Sequence, residues 1–143
     1  MANSITFTII GDPMGKQRPK FTSIGKWSKA YTPEATANYE QWVKLSFLQQ
    51  CGNTAFPEET ALAVTIKAYF KIPKNESKKR AALMRSGIIR PTKKPDFDNI
   101  AKIICDALNG IAYKDDASIV SAIVEKYYAD DDNPKVVATI QTI

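Results

Sequence analysis

The chain has 143 residues, a net charge of +5 and no histidine. That length suits one domain around a single core, and an apolar fraction of 44% beside a charged fraction of 24% excludes a disordered or low-complexity chain. Without imidazole, any acid, base or metal work falls to carboxylates, and an all-oxygen site suits a hard cation such as Mg2+ or Mn2+ rather than zinc.

No run of about 18 apolar residues is present, and Met1-Ala2-Asn3-Ser4-Ile5 lacks the basic and apolar regions of a secretory signal, so a cytoplasmic protein without membrane contact is expected. Cys51 and Cys105 lie far apart, without metal-site or disulfide spacing, and are expected to be reduced and buried.

In chain order, Ser4 to Ile10 reads as a strand stopped by Gly11-Asp12-Pro13. Met14 to Pro33 reads as a loop. Thr32-Pro33-Glu34 starts a helix, with Thr as cap and Pro at its first position, running to about Cys51 and stopping at Gly52. Leu62, Val64, Ile66, Ala68 and Phe70 recur at period two and mark a strand. Ser77 caps a short basic helix that ends near Gly87. After a linker from Pro91 to Pro95, Asp98 to Asn109 forms a helix capped by Asp98 and closed by Gly110. Ile119 to Tyr128 and Val136 to Ile140 alternate around an Asp130 to Pro134 turn and predict a terminal β-hairpin. The expected fold is α/β in the α+β sense: one domain over residues 1–143, with a small mixed sheet of four strands covered by three helices.

The basic residues are clustered. Met14 to Pro33 holds Lys16, Arg18, Lys20, Lys26 and Lys29 with no acid, interleaved with Phe21, Trp27 and Tyr31. Lys71 to Lys94 holds nine basic residues against Glu76 alone. A single charge run is commonly a solvated face, but two of them flanking an acidic cluster point to a polyanion. Lys16, Arg18, Lys20, Lys93 and Lys94 are therefore candidate ligands for the phosphates of such a polyanion.

On the helix from Asp98, the residues Ile100, Ile103, Ile104, Ala107 and Leu108 fall on one buried arc, while Asp98, Lys102 and Asp106 fall on a polar stripe at about 0, 40 and 80°. Asp96 precedes Asp98 by two residues, where an extended backbone points both carboxylates to one side, with Phe97 turned toward the core. Alone, Asp98 reads as a cap and Asp115-Asp116 as a solvated turn. Together they supply oxygens from separate segments, as a divalent ion requires. Lys102 can orient a carboxylate, meet the scissile phosphate or balance charge on the leaving oxygen; it can equally form an i,i+4 pair with Asp106. Asp130-Asp131-Asp132 reads as a solvated turn.

The run Lys94-Pro95-Asp96-Phe97-Asp98-Asn99, followed by Lys102, Asp106-Ala107-Leu108-Asn109-Gly110 and Asp115-Asp116, resembles the RusA family of crossover junction endodeoxyribonucleases, closely from Pro95 to Val120. Gly15-Lys16-Gln17-Arg18-Pro19 resembles phage-type members. The resemblance implies a bacterial, often phage- or prophage-encoded homodimer that uses Mg2+, or Mn2+ in its place, to make paired nicks in four-way (Holliday) junction DNA. Carried over, it assigns Asp96, Asp98 and Asp116 as catalytic metal ligands and Lys102 as a catalytic lysine. Asp115 joins the metal set, and Asp106 is a supporting residue. The turn from Leu108 to Asp116 is a residue shorter than the family pattern, which leaves open which of Asp115 and Asp116 is the main ligand. The expected function is metal-dependent resolution of Holliday junctions. Two alternatives stand beside it: a non-catalytic branched-DNA-binding protein, and a less specific nuclease for flaps or other branched DNA.

Overall fold

The computed structural model describes the backbone of residues 3–24 and 27–143, and the side chains of these residues except 22–29 and 31. Met1, Ala2, Gly25, Lys26 and the side chains of Trp27, Lys29 and Tyr31, all invoked from the sequence, lie outside the described set.

Strand β1 (Ser4–Ile10) sends Phe7 and Ile9 into the core. Strands β2 (Lys20–Ile24) and β3 (Trp27–Tyr31) form an antiparallel pair apart from the main sheet, in the segment expected to be a loop. The density of lysine hid this pair, although its two runs are separated by only two residues, the first of them glycine, which is a hairpin signal.

Helix α1 (Glu34–Cys51) begins one residue later than expected, with Pro33 in the cap position and no side-chain cap, so Thr32 does not serve as cap; it ends at Gly52 with φ 64°. Phe47 meets the Phe7 ring edge-on at 5.3 Å. The Gln50 amide bonds both backbone groups of Thr8, at 2.8 and 2.7 Å, and Trp42 Nε1 donates to the Ile10 carbonyl at 2.7 Å. These bonds satisfy the free edge of β1, which would otherwise invite pairing with another chain.

Strand β4 (Leu62–Phe70) alternates buried and half-buried residues along its whole length, as the period-two pattern predicts. Helix α2 (Lys78–Arg85) is capped by Ser77, whose hydroxyl accepts from the Arg80 N–H at 3.2 Å. Helix α3 (Phe97–Ala107) precedes a short 3-10 turn (Asp116–Ser118), strand β5 (Ile119–Tyr128) and strand β6 (Lys135–Thr142).

The main sheet has the order β1-β6-β4-β5; β4 and β5 run parallel and the other neighbours antiparallel. The expected terminal hairpin is therefore absent: β5 and β6 do not pair, because β4 lies between them. Residues 129–134 need only straddle two strand spacings, about 10 Å, and Ala129 N–H extends the β4 ladder by bonding the Phe70 carbonyl at 2.7 Å. A fully alternating nine-residue strand stabilises the sheet more when paired on both sides than at an edge. Helices α1 and α3 pack together, α1 against β1 and α3 against β5, enclosing a core that includes Phe7, Phe47, Ile66, Ile100, Ile104 and Ile140. The predicted buried arc of α3 is buried in full. Among the described residues no helix is long and apolar enough to cross a membrane.

Candidate active site at the start of helix α3

The cap of helix α3 lies two residues before the expected one. Asp96, in an extended conformation, occupies the N-cap position with its side chain unbonded to the helix, and Asp98 lies in the first turn. In an Asp-x-Asp sequence both acids suit a cap, and the backbone chooses the earlier one: Ile100 N–H bonds the Asp96 carbonyl at 3.0 Å. Neither capping nor a shared extended strand thus sets the pair. Asp96 projects from the linker and Asp98 from the helix, and both are exposed. Phe97 is 63% exposed instead of anchored in the core, because the first helical residue overhangs β5, the outermost strand of the sheet, where no chain covers it.

Two grooves meet here. One, between α3 and β5, is lined by Phe97, Asp98, Lys102, Cys105 and Asp116 with the apolar Ala101, Ile119, Ala122 and Val124. The other is lined by Thr92, Lys93, Lys94, Asp96, Phe97, Asp98 and Lys126. Asp98 stands at their junction, with Asp116 on the first side and Asp96 on the second. Lys102, one turn along α3, lines the first groove.

Asp116 opens the 3-10 turn, its N–H held by Asn109 Oδ1 at 2.9 Å. Its carboxyl titrates above the ordinary value, first because it is partly buried and then because the Asp106 and Asp115 carboxylates crowd it. Asp115 precedes the turn and is exposed. Burial likewise pushes the Cys105 thiol up to about 11, so this cysteine is an inert wall of the groove. Tyr113 supports it by donating to the Cys105 carbonyl at 2.7 Å.

The start of the first basic cluster forms a strap against the linker, with Pro13 to Gln17 lining a further groove beside Lys94, Pro95, Asp96 and Asn99. Lys16 N–H bonds the Asn99 carbonyl at 2.8 Å, and its ammonium reaches Glu40 at 3.2 Å and Asp106 at 3.5 Å. Its charge is thus directed inward, whereas Arg18 and Lys20 are exposed, as are Lys93 and Lys94 on the second groove. Gly15 permits this docking: a Cβ there would lie 2.9 Å from Pro95 Cβ and 3.0 Å from Asn99 Cβ.

Sequence reasoning missed Lys126. It is the charged member of the inward row Ala122, Val124, Lys126, Tyr128, and a lysine in an otherwise apolar strand row is the signal that marks it. Burial lowers its pKa, with Asp96 pulling the other way.

The fold and the grooves define a small α+β protein whose exposed carboxylates are bordered by lysines, an arrangement suited to phosphodiester chemistry on a nucleic acid. The sequence matches the family Endodeoxyribonuclease RusA over residues 11–141. It is also 33% identical over 141 residues to the uncharacterized protein YqaN of Bacillus subtilis (strain 168), covering 97% of this chain and 96% of that protein. The chain belongs to the RusA endodeoxyribonuclease family, and the kind of reaction that membership carries is endonucleolytic hydrolysis of DNA.

Proposed function

We propose that this protein is a divalent-metal-dependent Holliday junction resolvase that acts as a homodimer and cuts two strands symmetrically. The observation that carries the reading is the placement of Asp98 and Asp116, from separate segments, on one groove with Lys102, where basic side chains border the adjoining groove.

The donors fit a hard cation. Every acidic ligand available is a carboxylate, and Asp116 is crowded by Asp106 and Asp115 in a way that a bound cation would relieve. Among the described residues no three Asp, Glu or Cys side chains stand grouped so as to hold a metal ion on their own. Mg2+ commonly takes only one or two carboxylates, with waters and substrate phosphate completing its shell. Asp98 and Asp116 would hold the ion, with Asp96 approaching from the second groove and Asp115 at the rim. When bound, the ion supplies Lewis acidity at the phosphorus and neutralises charge that builds on the phosphate oxygens.

The protein's own groups do the rest. Lys102 faces the groove beside Asp98, where its ammonium can meet the scissile phosphate. Lys93 and Lys94, with Arg18 and Lys20 from the strap, grip flanking phosphates and hold the junction by shape and charge. Two nicks need two sites, and each chain has one. The outer strand β5 leaves Val120 and Ile123 exposed at 63% and 55%, and a second copy seated on this edge would set two grooves side by side.

The test is cleavage of a labelled four-way junction and of linear duplex, with Mg2+ or chelator, by the wild type and Asp98→Asn. Paired metal-dependent nicks that vanish in the variant, with junction binding retained, are expected. Binding without cutting under any metal would leave a DNA-binding module, and unpaired cuts in flaps would leave a less specific nuclease.

A further inference from the structure

Lys126 occupies an unusual place. In the parallel β4–β5 ladder it is in register with the buried Ala68, and its row-mates Ala122 and Val124 stand opposite Val64 and Ile66. It therefore projects from the helix-facing side of the sheet, where an ammonium is costly to desolvate unless something engages it. Its Nζ donates to the Lys93 carbonyl, and the Lys126 carbonyl in turn accepts from Arg90 Nε. The Arg90 guanidinium lies 3.8 Å over the Tyr127 ring, which stacks on Tyr69 at 5.5 Å. One residue of β5 thus ties down the linker at residues 90 and 93, just before Asp96. On the far side the same linker is wedged at Pro95 by Gly15. The lysine also lines the groove that Asp96 and Asp98 share.

We propose that Lys126, with Arg90, is a positioning residue for Asp96: a two-bond staple from β5 to the linker that fixes where this carboxylate meets the cation and the scissile phosphate. The staple acts through the backbone of residues 90–96. Leucine or methionine would fill the same space in the row without a donor for the Lys93 carbonyl, which accounts for a charge at this position. The functional half of the inference rests on the nuclease reading above; the structural half does not.

The staple can be read without catalysis. Between residues 90 and 95 trypsin has one usable bond, Lys93–Lys94, because the bonds after Arg90 and Lys94 precede proline. Lys126→Met, which keeps the stem and loses the donor, should be cut there about five- to tenfold faster than wild type, the population shift expected for one lost hydrogen bond, with little change in Tm. Mn2+ titrated alone should bind more weakly. Junction cleavage should fall about a hundredfold in kcat, the scale of an ångström-sized misplacement, with the Kd for the junction little changed. Lys126→Arg should recover most of each property. Arg90→Lys, which removes the Nε donor and the planar stack, should reproduce the Lys126→Met behaviour and guards against misfolding of the first variant.

Equal trypsin rates in wild type and both variants would overturn the staple. Faster proteolysis with unchanged Mn2+ affinity and unchanged kcat would overturn its role in positioning Asp96. A wild type that cuts no junction would sink the nuclease reading alone, and proteolysis with Mn2+ titration would still decide for or against the staple.

Discussion

Replacing Gly15 by alanine is the smallest change that tests how the strap and the linker hold the site. The added Cβ would sit 2.9 Å from Pro95 Cβ and 3.0 Å from Asn99 Cβ. Ordinary carbon–carbon contact lies near 3.5–4.0 Å, so one side must retreat by roughly 0.5–1 Å. Neither neighbour is a flexible side-chain end: Pro95 is a ring in the linker and Asn99 is in the first turns of α3. Overpacking of this kind costs about 1–3 kcal/mol, which for a chain of this size lowers Tm by roughly 3–10 °C. The retreat also stretches the bond from Lys16 N–H to the Asn99 carbonyl, 2.8 Å in the native chain, and moves Asp96, the next residue after Pro95. Differential scanning calorimetry would measure the first effect and single-turnover cleavage of a four-way junction the second, with a rate loss of about a hundredfold expected. A variant that melts within 1 °C of wild type and cuts at the same rate would refute the claim that this contact is tight.

Removing both charges in Lys93→Ala/Lys94→Ala should weaken junction binding and flatten the slope of log affinity against log salt by about 1.8; an unchanged slope would place the phosphates elsewhere. Ile123→Lys, on the exposed part of β5, should yield monomers in sedimentation with the melting curve preserved, and an unaltered assembly would move the dimer surface off this strand. Asp116 has its folded pKa raised above the ordinary 3.8, so its ionisation is harder in the folded chain; the stability associated with it is greatest below pH 3.8 and is lost as pH rises through the folded value. Without metal, Asp116→Asn should therefore melt above wild type at about pH 7, and the gap should close as pH falls toward 4. A gap independent of pH would show that the crowding of Asp116 carries no energetic weight.

The period-two pattern of β4 and the buried arc of α3 were legible because each is a local consequence of chain geometry: Leu62 to Phe70 alternate, and Ile100 to Leu108 return to one side every 3.6 residues. Pairing was not legible. A six-residue turn between two strands looks the same whether it joins neighbours or spans a third strand, so β5 and β6 suggested a hairpin that β4 interrupts. The helix start was displaced by two residues because Asp96 and Asp98 are equally good caps by composition. The exposure of Phe97 depends on where the sheet ends, a property of the whole strand order. Lys16 was grouped with Arg18 and Lys20 by charge alone; its partners Glu40 and Asp106 come from α1 and α3, and nothing local predicts that they converge.

The strand order also governs when this protein can exist during its own synthesis. β6 joins β1 to β4, pairing residues near the start of the chain with residues 135–142. Until residue 142 has left the ribosome, β1 has no partner in the sheet and β4 has only β5. Such distant pairing is slow and comes late. The groove at α3, all of whose lining residues lie upstream of β6, is backed by a completed sheet only once β6 has emerged, so a chain cut short before β6 would be a substrate for proteases before it was a hazard to DNA.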